Sequence, residues 1–368
     1  MIAQLLSIGF LLALLPLSYV WVSGDRDKYR KLVWLTTFLV IDLIMFGSFT
    51  RLTDSGLGCP DWPGCYGTPT PIHASADIAA AEAAMPTGPV TETKAWIEMV
   101  HRYFAMAVGA LIVALNILAW TQRRQLGHTP WAATVLLALI CIQGAFGAWT
   151  VTMKLMPLMV TIHLLLGLAL LTGLAWLAAE RTPAPQANDW RAMFKLRPWL
   201  WLGFALLILQ IALGGWVSTN YAVLACLGFP ECNGVWLPEM NFADGFTLWR
   251  ELGHTGGGAL IQTDALVAIH WTHRFVAFIV LPYLAWLAWQ VQRLPSMRKF
   301  ARALWYLLGL QFLTGLSNIV LGWPLVAAVA HNGGAALLVL VLVWLLYRSR
   351  GAEADWPMAG QGWSGKSL

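Results

Sequence analysis

Apolar residues do not alternate with polar ones along this chain but run together in blocks of about 20 residues, the length a helix needs to cross the hydrocarbon core of a bilayer. Nine such blocks stand near 2–22, 32–50, 96–120, 131–150, 157–179, 199–217, 267–290, 301–322 and 326–347. Only helices and closed barrels satisfy their backbone polar groups in lipid, and blocks of this length predict helices. The fold class expected is therefore an all-α polytopic membrane protein that leaves little chain for a soluble domain. Composition agrees. Of 368 residues 58% are hydrophobic and 11% charged, and the mean hydropathy is +0.64, too much apolar surface for a water-soluble globule.

Lys and Arg mark the sides. One set of alternate connections holds Arg26, Lys28, Arg30 and Lys31, then Arg123 and Arg124, then Arg181, Arg191, Lys195 and Arg197, then Arg293, Arg298, Lys299 and Arg302, then Arg348 and Arg350. The opposite set carries only Arg51, Lys94, Lys154 and Arg250. The first set reads as cytoplasmic. This bias accounts for the net charge of +5 and removes the reason to expect a nucleic-acid partner. The first block lacks a basic start and a small-residue cleavage site, so it reads as an extra helix with its N-terminus outside rather than a signal peptide.

The chain repeats itself. Gly47, Cys59 and Cys65 recur as Gly214, Cys226 and Cys232, 167 residues later. The run Ile97-Glu98-Met99-Val100-His101-Arg102 is echoed by Ile269-His270-Trp271-Thr272-His273-Arg274, and His163 by His331. Each half reads as helix, long outer Cys loop, helix with His-Arg, helix, and helix with His. The reading is two tandem-duplicated four-helix bundles related by an axis along the membrane normal, after one extra N-terminal helix. Its boundaries are 1–31 for that helix and a basic turn, 32–180 and 199–347 for the bundles, 181–198 for a cytoplasmic linker and 348–368 for a tail.

A histidine inside a bilayer is a functional candidate, a hydrogen-bonded structural histidine being the alternative. His101, His163, His273 and His331 each fall about four to six residues past the outer start of an apolar block, roughly 6 to 9 Å deep at the helical rise. Two pairs at one level suit the axial ligation of haem iron between facing helices. Zinc fits less well, because neither pair has a third imidazole or thiolate at a matching position. Arg102 and Arg274 follow the ligand candidates and Arg51 ends a helix. All three are propionate-binding candidates, with interfacial snorkelling as the alternative.

The repeat breaks one helical turn before the ligand candidates, where the first half has Glu98 and the second His270. A carboxylate at that depth can carry protons or stabilise positive charge. The plainer reading pairs it with Lys94. Cys59 with Cys65, and Cys226 with Cys232, are disulfide candidates on the outer side, staples by default with a redox role as the alternative. Cys141 reads as core packing, residues 74–85 as a short amphipathic helix over the bundle, and His73, His128 and His254 as solvated loop residues.

Together the Glu98-Met99-Val100-His101-Arg102 run, the Gly56-Leu57-Gly58-Cys59 loop, His163, His273-Arg274 and His331 resemble the haem A synthase family, over about residues 32 to 347. That resemblance implies a duplicated four-helix bundle and an oxidoreductase of cytochrome oxidase assembly, converting the C8 methyl of haem O to a formyl group by successive hydroxylations. It further implies that His101 and His163 hold haem O with Glu98 catalytic, that His273 and His331 ligate the iron of haem B, and that both Cys pairs are disulfides. Delivery by haem O synthase, an electron acceptor or donor, and placement in a bacterial inner membrane with periplasmic Cys loops belong to the same expectation. The competing readings are a non-catalytic diheme electron carrier or quinol oxidoreductase, and a transporter. The first fits poorly with two pairs at one depth, and the second with the lack of paired broken helices at the midplane.

Overall fold

The computed structural model describes residues 1–126, 129–182 and 189–350. Among them stand nine helices long and apolar enough to cross a membrane, and no strand beyond isolated bridges. They are α1 (Ile2–Val22), α2 (Lys28–Leu52), α3 (Glu92–Thr121), α4 (Trp131–Thr152), α5 (Pro157–Arg181), α6 (Trp190–Thr219), α7 (Thr263–Gln292), α8 (Arg298–Val320) and α9 (Leu325–Arg348). The chain is a multi-pass membrane protein. Local chemistry sets several helix starts. Asp27 accepts a hydrogen bond from the Arg30 amide and Thr91 from the Lys94 amide, and Pro157 opens α5, where its missing N–H is not needed.

The helices pack as two rings. In the first, α2, α3, α4 and α5 each touch the next, and α5 closes on α2; in the second, α6, α7, α8 and α9 do the same. The rings meet where α2 and α5 pack on α9 and where α5 packs on α6. Small residues allow close approach at this seam: a Cβ at Gly333 would lie 2.9 Å from Met45 Sδ, and one at Gly215 2.8 Å from Leu164 Cδ2. Positions 167 apart also meet there. An Arg51 Nη donates to the Ser218 carbonyl at 2.5 Å, and the Tyr221 hydroxyl donates to Asp54 Oδ1 at 2.5 Å. The buried leucine, alanine and valine side chains of both rings form one continuous core, which includes Leu111, Leu171, Leu200, Leu287 and Leu342.

The extra helix α1 lies outside the first ring along α3. Its Leu5 and Ile8 join a cluster with Cys59, Cys65, Ile78, Met99 and Tyr103. The helix expected within 74–85 is Ser75–Ala84, anchored in that cluster by Ile78.

Four boundaries differ from the hydropathy blocks. Helices α3 and α7 begin at Glu92 and Thr263, a turn above their apolar runs, and α2 begins at Lys28 inside the expected basic turn. Half of the expected linker is helix too, since α6 starts at Trp190 and runs through Pro198. Residues 191–197 are mostly good helix formers, Met193 and Leu200 are buried, and one proline removes only one backbone bond. Cys141 is exposed on α4 rather than packed in the core, as suits a helix whose outer face meets lipid. His73 is exposed as expected, whereas His254 is half-buried, with its carbonyl accepting from Arg250. His128, residues 183–188 and the tail from 351 lie outside the described residues.

Candidate functional site

The odd-numbered helices carry the histidines: His101 on α3, His163 on α5, His273 on α7 and His331 on α9. Helices α3 and α5 stand across the first ring from each other, with α2 and α4 between them, and α7 and α9 stand likewise in the second. His101 and His163 both lie against glycines of the first ring, and His273 and His331 against glycines of the second. The sequence-predicted residues are therefore brought together as two pairs, each drawn from opposite sides of its own ring.

Each imidazole lies over a glycine on the helix preceding its own in the ring. Cβ atoms built at Gly47, Gly147, Gly214 and Gly315 would come within 3.0 to 3.2 Å of Cε1 of His101, His163, His273 and His331 respectively. That is tighter than ordinary van der Waals contact, so any side chain there displaces the ring. Three of these glycines are preceded at i−4 by a glutamine that ties down the histidine's backbone. Nε2 donates to the His163 carbonyl from Gln143 at 3.0 Å, to that of His273 from Gln210 at 3.1 Å, and to that of His331 from Gln311 at 2.8 Å. The fourth position is Leu43. The Gln-x3-Gly spacing stands in the sequence itself, but single polar residues inside apolar blocks carry no periodic signal.

Glu98 is buried, 4% exposed. Its carboxylate accepts from the backbone N–H of Cys59 at 2.8 Å on one oxygen and from the Arg102 guanidinium on the other. The Lys94 partnership fails: Lys94 instead lies 3.6 Å from Asp54, while Arg102, one turn further along α3, faces Glu98. Arg102 also donates through Nη1 to the carbonyls of Asp61 at 2.9 Å, Pro63 at 3.3 Å and Gly64 at 2.5 Å. These belong to the loop closed by the Cys59–Cys65 disulfide. Gly58 lets that loop rest on α3, for a Cβ there would lie 2.6 Å from Ala95 N.

The second half repeats this design with a different partner. Cys226 and Cys232 form a disulfide, and Arg274 donates to the carbonyls of Cys226, of Gly228 at 2.8 Å and of Glu231 at 3.3 Å. Where Glu98 stood is His270, 4% exposed, whose Nε2 accepts from Arg274 Nε at 3.2 Å. Both arginines expected to reach propionates thus hold the backbone of a disulfide loop, whose carbonyls need donors once buried. The third, Arg51, bonds Ser218 and lies 3.9 Å over the Tyr221 ring. Burial raises the pKa of that phenol, keeping it a donor to Asp54.

A family model described as cytochrome oxidase assembly protein, COX15-CtaA, matches residues 30–343, most of the chain and all four histidines. The chain belongs to this family. A relative from Shewanella oneidensis named heme A synthase is 38% identical over 323 residues, covering 86% of this chain and 96% of its own length. Relatives of the same name from Erythrobacter litoralis, 27% identical over 85% of this chain and 94% of their own, and from Sphingopyxis alaskensis, 29% identical over 89% and 93%, extend the likeness. Helix α1 packs beside the loop that holds Glu98.

Proposed function

We propose that this chain is a haem A synthase, an oxidoreductase that converts the C8 methyl of haem O to a formyl group for cytochrome oxidase. The observation that carries the reading is Glu98, a buried carboxylate one turn from His101, present in the first ring and replaced by His270 in the second. His101 and His163 hold the substrate haem O, and His273 and His331 ligate the iron of a resident haem B. Several features support a fit to haem. The imidazoles come from helices across each ring, glycines clear space beside every ring, and Nδ1 of both His101 and His163 is buried without a partner. Haem B when bound supplies redox chemistry.

The protein's own contribution is orientation and charge. Glu98, held by Cys59 and Arg102, presents a fixed negative charge to the edge of the substrate, where it stabilises positive charge developing at the methyl carbon or directs water to it. Two successive two-electron oxidations, each adding one hydroxyl to the methyl carbon and passing its electrons to the electron partner, give a geminal diol, which loses water to leave the formyl group. We place the two halves at 32–180 and 199–347, as products of duplication; the contacts between positions 167 apart support an axis along the membrane normal, since it keeps equivalent residues at equal depth. The basic connections then face the cytoplasm of a bacterial inner membrane, and the disulfide loops the periplasm. Haem O synthase as donor, an electron partner and the oxidase assembly machinery complete the setting.

Extraction and chromatography of haems from cells producing haem O test the reading. Expression of this chain should yield haem A. A purified protein carrying only unmodified haem B, with no haem A in the cells, would instead make it a diheme electron carrier. A second prediction concerns the glycines: Gly214→Leu pushes His273 off its ligating position and empties the second site, whereas Gly309→Leu on α8, with open space around its Cβ, leaves haem content unchanged. Pyridine haemochrome spectra of the two variants check this.

A further inference from the structure

The two rings differ in what holds the second nitrogen of a histidine. His331 Nδ1 lies 2.9 Å from Thr314 Oγ1. That hydroxyl has one proton, and Oγ1 also lies 2.6 Å from the Leu310 carbonyl oxygen, which can only accept. The hydroxyl proton therefore goes to Leu310, and Oγ1 meets the ring as an acceptor. It follows that Nδ1 carries the hydrogen and donates, leaving the Nε2 lone pair free for a metal. Thr314 is buried, 8% exposed, and Gln311 on the same face of α8 grips the His331 carbonyl, so α8 fixes both the backbone and the ring of this residue.

The first ring keeps only one of these two grips. Gln143 stands where Gln311 does and bonds the His163 carbonyl, but the position matching Thr314 is Phe146. Nδ1 of His163 is accordingly buried without a partner, and so is that of His101. A donor hydrogen bond from the far nitrogen of a ligating imidazole orients the ring and raises its basicity, and removing such a partner typically weakens metal binding about 10- to 100-fold.

We propose that Thr314 is a positioning residue that makes the second ring the permanent haem site, while Phe146 leaves the first ring able to release its haem. This rests on the reading of His273 and His331 as haem ligands. The chemistry suits the two tasks: a resident cofactor benefits from a locked ligand, and a substrate that must depart as product does not.

The test uses the full-length protein purified with its haem, as wild type, Thr314→Val, Thr314→Ser and His331→Ala. Valine matches threonine in shape and removes only the acceptor. The readouts are haem B per chain, the rate of haem B transfer to apomyoglobin, and the midpoint potential of the second-ring haem. The proposal expects Thr314→Val to lose haem B about 10- to 100-fold faster and to shift its potential upward, because a less basic imidazole favours ferric iron less. Thr314→Ser should restore both. Wild-type transfer rate and potential in Thr314→Val would overturn the proposal while leaving the ligand assignment intact. Full haem B content and an unchanged spectrum in His331→Ala would overturn the assignment itself.

Discussion

Glu98→Gln leaves haem O unconverted. In cells that make haem O, this variant should accumulate haem O, or its singly hydroxylated form, in place of haem A, with conversion reduced on the order of 100- to 1,000-fold, as for removal of one preorganised charge-stabilising group. Glutamine has the volume of glutamate and its one carbonyl oxygen can still accept from the Cys59 N–H, which keeps the loop on the helix, while its NH2 is a donor and cannot accept from Arg102. What disappears is the negative charge together with one acceptor. Chromatography of extracted haems reads the result directly, and haem B per purified chain serves as its control. Normal haem A output would remove Glu98 from the chemistry and leave it an anchor for the disulfide loop.

Arg102→Ala should be the more damaging change, since it acts on structure and chemistry together. It leaves the Glu98 carboxylate with one backbone N–H and strips the donor from three loop carbonyls. Breaking a buried ion pair by removing one partner typically costs about 3–5 kcal/mol, and this pair is well buried, with side chains 10% and 5% exposed. Arg274→Ala strips the same kind of loop but no carboxylate. The expected pattern is a lowered aggregation temperature in both purified variants, with loss of haem A at permissive temperature only in Arg102→Ala. Equal loss of conversion in the two, with unchanged thermal behaviour, would return both arginines to the propionates.

Hydropathy made the nine helices readable because a bilayer imposes its own length on each segment independently of the others. The histidine pairs were readable because the repeat supplied an internal comparison, His101 against His273 and His163 against His331. The Cys pairs were legible because each six-residue separation repeats in a turn-rich loop. What was missed depends on contacts distant in sequence. That Arg102 reaches the carbonyl of Asp61, 41 residues away, is written in no local pattern. The start of α6 at Trp190 was hidden by Pro198, which punctuates soluble helices more strictly than membrane ones. Thr314 looked like one more small residue in an apolar block, and its meaning appears only when α8 is laid beside α9.

The meeting of Arg51 with Ser218 and of Asp54 with Tyr221 carries a broader implication. In a symmetric homodimer, residues on the two-fold axis face copies of themselves. An arginine there would confront an arginine and an aspartate an aspartate, both repulsive. A single chain is free of that constraint, and each of these contacts joins a charged residue to a neutral one that complements it. The same freedom allows a carboxylate at 98 with an imidazole at 270, and a phenylalanine at 146 with a threonine at 314. On the proposed reading of the halves as copies, a single chain lets each ring take its own residues, without each change being copied into its neighbour.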